Sequence, residues 1–118
     1  MADRIHSIKR AQKESLLLRE ISQLFHQASL DDPRLSSLMI SRVQLSPDKG
    51  TCKVLFYCPE GKEKFDELLG ILILYKPSLR AAIAKRIASR YTPEMIFAFD
   101  NTYEKEQRIQ ELLDKIKE

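Results

Sequence analysis

The chain has 118 residues, 43% hydrophobic and 31% charged, with a formal net charge of +3. That size suits one domain that buries a core without a metal or disulfide staple, and five prolines and three glycines exclude a linker or low-complexity chain. The longest apolar run, Ile71 to Tyr75, is far short of the roughly 20 residues that span a bilayer, and Met1 to His6 lacks a signal-peptide core; the expectation is a soluble, cytoplasmic monomer that enters no membrane.

Leu17, Leu18, Ile21, Leu24, Phe25 and Ala28 recur at helical intervals and predict a first helix over 14–28. Ile5 and Ile8 fall off that stripe, so residues 1–8 are expected to be a loose arm. Asp31-Asp32-Pro33 ends the helix, because proline disfavours helix in the residue before it. Strands over 38–46 and 51–58 follow, joined by Ser46-Pro47-Asp48-Lys49-Gly50 into an antiparallel hairpin. Met39, Val43 and Leu45 are expected on the apolar face of the first strand. Cys52, Val54, Phe56 and Cys58 share one face of the second, with Lys53, Leu55 and Tyr57 opposite. Six residues of straight strand hold Cys52 and Cys58 about 20 Å apart, too far for a disulfide, which needs Cα atoms within about 7 Å. They read as buried small hydrophobes.

Residues 62–75 read as a helix with Phe65, Leu68, Leu69, Leu72 and Ile73 as its stripe, widened by Ile71 and Leu74. So much apolar circumference predicts a central helix, and Gly70 inside it predicts close packing. Pro77 is expected to break this helix, and Ser78 to cap a second one over 79–90. Residues 94–99 form a third strand with Met95, Phe97 and Phe99 on one face. Asp100-Asn101-Thr102 caps a last helix, 103–117, whose Ile109, Leu112, Leu113 and Ile116 lie at amphipathic spacing. That helix either packs on the sheet domain or docks on a partner. The order α-β-β-α-kink-α-β, with the C-terminal helix added, is α+β: helices on one face of a three-stranded sheet. Residues 10–101 form the core of a single domain spanning 1–118. The order resembles the type II KH fold, an RNA-binding fold; the likeness is one of fold and carries no function by itself.

Charge is unevenly placed. From Leu68 to Pro93 there is no acid, but there are Lys76, Arg80, Lys85, Arg86 and Arg90. The first nineteen residues carry Arg4, Lys9, Arg10, Lys13 and Arg19 against Asp3 and Glu14, whereas Asp100 to Glu118 is net acidic. Basic side chains and a helix N-terminus both suit phosphate oxygens, so the kink at Lys76-Pro77-Ser78 is expected to expose the start of the Leu79 helix to an RNA backbone. A solvated outer face is the plainer reading of Lys85 and Arg86. The three glycines, Gly50, Gly61 and Gly70, form no Gly-x-x-Gly clamp of the KH type, and no exposed aromatic pair suggests a stacking platform. No Ser-His, Cys-His or metal-ligand spacing is visible, so no catalytic residue, metal or cofactor is expected. His6 and His26 read as structural.

The sequence resembles the bacterial ribosome-binding factor A family over about residues 10–110. The likeness rests on Arg19-Glu20-Ile21-Ser22, Asp32-Pro33-Arg34-Leu35, Val43-Gln44-Leu45-Ser46-Pro47-Asp48, Lys53-Val54 and Leu79-Arg80. It continues through Arg90-Tyr91-Thr92-Pro93-Glu94-Met95-Ile96-Phe97 to Asp100 and Thr102. Single pieces are weak, and their order and spacing together are specific. The resemblance implies a non-enzymatic factor of the 30S small ribosomal subunit, acting late in 16S rRNA maturation and associated with growth in the cold. Where the family carries an Ala-x-Gly kink, this chain has Tyr75, Lys76 and Pro77, and proline is expected to interrupt the helix instead. The candidate RNA contacts are Lys76, Arg80, Lys85, Arg86 and Arg90 on the helix pair, Lys9, Arg10 and Lys13 on the first helix, and Arg34 in the turn. Arg90 is equally a candidate partner for the Asp100 carboxylate, and Asp32-Pro33-Arg34 equally a structural turn.

Overall fold

A 30-residue helix, α1 (Ala2–Asp31), opens the computed structural model. The structure describes residues 2–87 and 91–117, and the side chains of these except at positions 2, 3, 6, 103 and 104. Leu17, Ile21 and Phe25 of α1 are buried, as their spacing predicts, with Leu18, Leu24 and Ala28 half-buried beside them. The expected loose arm is instead helical. Ile5 and Ile8 are exposed, so no burial drives that turn of helix; residues 4–20 hold no glycine or proline and are rich in Arg, Lys, Gln and Glu, which suffices locally. The apolar stripe marks what α1 buries, not where it begins. After Asp31, Asp32 caps a short 3-10 helix, Pro33–Ser37, by accepting the Arg34 backbone N–H at 3.1 Å.

Strands β1 (Met39–Leu45) and β2 (Thr51–Tyr57) pair antiparallel, and β3 (Glu94–Phe99) pairs parallel to β2, giving the order β1-β2-β3. The β1–β2 register slips at Ser41: Ile40 faces Phe56 and Arg42 faces Leu55. One extra residue in β1 reverses the alternation on either side of it. Ile40 therefore turns to the core and Met39 is exposed, which corrects the expected place of Met39. Cys52, Val54, Phe56 and Cys58 are buried as one row, and both thiols are free. Burial, with Glu14 nearby, pushes the Cys52 thiol up to about 11, so it stays protonated and inert. Leu55 lies on the opposite face, as expected, but is buried there, in register between Arg42 and Ala98.

A parallel pair requires a crossover, and α2 (Lys62–Arg86) supplies it. The break expected at Pro77 does not occur. Proline lacks one N–H, so the Ile73 carbonyl goes unserved, but Ile73 is half exposed to water and the ladder continues on both sides. The predicted pair of helices is thus one 25-residue helix, and Leu79 lies within it rather than at an open N-terminus. Nor is α2 central. It buries Phe65, Leu68, Leu72 and Ile83 along one side, while Leu74 is 76% exposed and a Cβ on Gly70 would meet open space. Gly70 projects away from the buried stripe at about 100° per residue, so close packing there is also corrected. Phe56 centres the core, edge-on to Phe25 at 5.3 Å and to Phe97 at 5.5 Å, with Phe65 at 6.1 Å. Helix α3 (Thr102–Lys117) leaves β3 and keeps Ile109, Leu112, Leu113 and Ile116 exposed; the reading in which it packs on the sheet is not realised.

Candidate nucleic-acid interface

The predicted cations divide among different jobs. Lys76 and Arg80, one turn apart, lie on the flank of α2 that meets β3. The Lys76 ammonium stands 5.3 Å from the centre of the Phe97 ring, a cation–π contact. Arg80 donates from Nη2 to the Thr92 carbonyl at 3.3 Å. Arg86 turns the other way and binds α1: its Nη1 donates to Glu20 Oε2 at 3.0 Å and to Gln23 Oε1 at 3.3 Å. An acid 66 positions away thus neutralises one cation of the acid-free stretch. Lys85 is exposed on the side away from the core, with no hydrogen bond or ion pair among the described residues. Arg90 lies outside the described residues.

On α1, Lys9 is exposed and Arg10 and Lys13 are half-buried. Lys13 reaches the C-terminal part of α2, where it lines a small crevice with Ile83, Ile87, Tyr91, Thr92 and Pro93. Since Arg80 is bonded to Thr92, the chain between α2 and β3 brings one cation from each helix to a single corner. Lys9 and Arg10 extend the basic flank of α1 beyond that corner. Tyr91, in the same segment, is 70% exposed. Among the described residues it is a lone exposed aromatic and not one of an exposed pair. The signal available was a tyrosine next to Thr-Pro in a stretch without acids.

Arg34 is held by its own turn. Its Nε donates to Asp32 Oδ1 at 2.9 Å and its Nη2 to Oδ2 at 2.8 Å, a two-pronged pair. The Tyr75 hydroxyl donates to the same carboxylate at 3.1 Å, tying the turn to α2. The Arg34 hydrogen bonds foremost hold the Asp32 carboxyl down at about 2, against an ordinary 3.8. The structural-turn reading of Asp32-Pro33-Arg34 therefore has a geometry, and Arg34 reaches a phosphate only with its remaining donors.

Asp100 is buried and collects a second network. It accepts from Ser41 Oγ at 2.6 Å and from the Thr102 N–H at 2.9 Å, the helix-entry bond expected of it. Its cation is Arg42, with Nε at 3.2 Å, and Arg42 Nη2 also donates to Thr102 Oγ1 at 3.0 Å. Burial pushes the Asp100 carboxyl up, but the Ser41 and Thr102 bonds and the Arg42 charge together bring it below the usual carboxylate range. The bulge at Ser41 makes this possible by turning Ser41 and Arg42 toward one carboxylate. Among the described residues, no three His, Cys, Asp or Glu side chains come together as a metal site, and no helix is long and apolar enough to cross a membrane.

Comparison with known proteins bears on this arrangement. Residues 9–113 match the family model described as ribosome-binding factor A. A ribosome-binding factor A of Syntrophobacter fumaroxidans is 32% identical over 119 residues, covering 98% of this chain and 92% of that protein. The crystal structure of the Thermus thermophilus factor superposes with a TM-score of 0.65 at 29% identity, over 76% of this chain and 93% of that one. A homology model of the Thermus thermophilus factor, fitted to a cryo-electron-microscopy map of its complex with the 30S subunit, gives 0.61 at 28% identity, over 75% and 91%. The α+β order with its three-stranded mixed sheet is the KH-like fold of these structures. From its sequence and from its fold alike, the chain belongs to the ribosome-binding factor A family.

Proposed function

We propose that this protein binds the small ribosomal subunit in the cytoplasm, as a monomer, and assists late maturation of its 16S rRNA without catalysing a reaction. It does so through phosphate contacts from α1 and α2. The observation that carries the site is the corner where Lys13 of α1 and Arg80 of α2 meet the segment before β3. Lys9 and Arg10 extend it along α1, Lys85 stands on the outer side of α2, and Lys76 flanks β3. Phosphate binding by such a surface needs neither a glycine clamp nor an open helix end, only cations held on rigid elements. Arg86 serves mainly to fasten α2 to α1, and Arg34 to fasten its turn. Arg90 joins the set by its place in the sequence.

Phosphate contact releases counterions, so affinity for small subunits falls steeply with salt. Lys13, Arg80 and Lys85 replaced together by Ala are expected to weaken co-sedimentation with 30S subunits and to flatten the salt dependence, while the thermal transition stays near that of wild type. Arg86 is left intact, because it fastens α2 to α1 through Glu20 and Gln23. Unchanged co-sedimentation of the triple variant refutes the site.

The exposed stripe Ile109, Leu112, Leu113 and Ile116 favours a second reading, in which α3 docks on a protein partner. Removal of residues 103–118 separates the two: under the first reading subunit binding survives, and under the second a protein contact is lost.

A further inference from the structure

Among the described aromatic side chains, Tyr91 is the most exposed. All five phenylalanines are buried or half-buried in the core. Tyr75 serves Asp32 and Tyr57 is half-buried at the end of β2. Tyr91 is 70% exposed, so core packing does not account for most of its ring. Its position is nonetheless well held. Pro93 is buried, the Glu94 N–H donates to the Gly50 carbonyl at 3.0 Å, and Arg80 grips Thr92 from α2.

The surroundings of that ring are apolar and cationic. Ile83, Ile87, Pro93 and Lys13 line a small crevice beside it, and none of the described residues lining it is acidic. Phosphate contacts by themselves need no aromatic surface, and a paired duplex offers no free base face. An unpaired nucleotide offers both parts: a π-face for an exposed ring, and a phosphate on either side for Lys or Arg.

We propose that Tyr91 is a stacking site for one unpaired nucleobase, with Lys13 and Arg80 holding the phosphates that flank it. This rests on the reading that the chain binds rRNA, and adds that the bound segment is locally single-stranded. It also supplies what the missing glycine clamp leaves out, a contact that distinguishes unpaired from paired RNA.

The chain contains no tryptophan, so Tyr91→Trp places a single indole reporter at the site. Titration with a single-stranded adenine-rich oligoribonucleotide is expected to quench its emission saturably, and a duplex of equal length to leave it nearly unchanged. Tyr91→Ala is expected to weaken binding of the single strand by about tenfold, and Tyr91→Phe, which keeps the ring, by no more than about twofold. Because the residue is exposed, all three variants should melt with wild type. Single-strand affinity of Tyr91→Ala equal to wild type overturns the proposal, as does an indole whose emission answers only to purified small-subunit proteins. Should wild type itself fail to bind both small subunits and RNA at low salt, the rRNA-binding reading falls. If wild type binds and Tyr91→Ala matches it, only the stacking site falls.

Discussion

Helices α2 and α3 differ in what they bury. The apolar residues of α3 have the better spacing, yet they stand in solvent, Ile116 at 80% exposure. The apolar residues of α2 spread around its circumference and a proline interrupts them, yet Phe65, Leu68, Leu72 and Ile83 are buried. Topology accounts for the difference. The helix between β2 and β3 must cross the sheet because those strands are parallel. Helix α3 connects no two strands of this sheet, so its connectivity does not oblige it to cover the sheet. It is held as a helix by local means: the Asp100 entry bond, a Gln110–Asp114 hydrogen bond of 3.1 Å, and Lys115 and Lys117 in its last turn. Amphipathic spacing states that a face is available; connectivity decides whether the same chain covers it.

Substitutions put this contrast to the test, and the largest effect belongs to the seat of α2. Phe56→Ala removes the ring on which Phe25, Phe65 and Phe97 converge and is expected to cost about 3–5 kcal/mol by denaturant titration. Next comes the tether of α3. Asp100→Ala leaves the Thr102 N–H without its acceptor and the Ser41 hydroxyl with only the Leu55 carbonyl, and is expected to cost about 1–3 kcal/mol. Amide exchange should accelerate in α3 much more than in α2. On the exposed side of α2, Gly70→Ala should stabilise by about 1 kcal/mol, since the helix gains and nothing clashes. Smallest is the apolar face of α3: Leu112→Ser should change stability by no more than about 0.5 kcal/mol, a result that packing of α3 on the sheet would contradict.

A pH series tests the junction that ties the end of α1 to α2. The carboxyl of Asp32 lies lower in the folded chain, about 2, than its ordinary 3.8. Its contribution is therefore complete above about pH 4 and lost as pH falls toward 2. The melting temperature of Asp32→Asn should lie below that of wild type at neutral pH, with the gap closing across that acid range.

Much of the fold was legible because it depends on local pattern. The stripe from Leu17 to Ala28, the hairpin turn, the alternating row from Cys52 to Cys58 and the bounds of β3 all follow from periodicity and turn chemistry. What escaped depends on pairing at a distance. The slip at Ser41 exists only relative to β2, and Arg86 is neutralised by Glu20 only because two helices touch. Pro77 signalled a break by a local rule, and the rule gave way because the sheet and α1 hold both halves of α2 in line. The candidate site was legible as composition, a stretch without acids. Its division into fastening residues and outward-facing cations was not, because that depends on which flank each side chain takes.

The extra residue in β1 has a consequence for how this chain tolerates length changes. Ser41 is both the bulge and a ligand of Asp100. Deleting it would give β1 a regular ladder, the sort of change that ordinarily strengthens a hairpin. The same deletion would take a hydroxyl from the carboxylate that starts α3, while Ile40 would still lie opposite Phe56 on the core face. Strand register and the hold on the C-terminal helix are therefore a single inherited setting. A one-residue deletion at this point would loosen the anchorage of a helix whose first residue lies some sixty positions downstream.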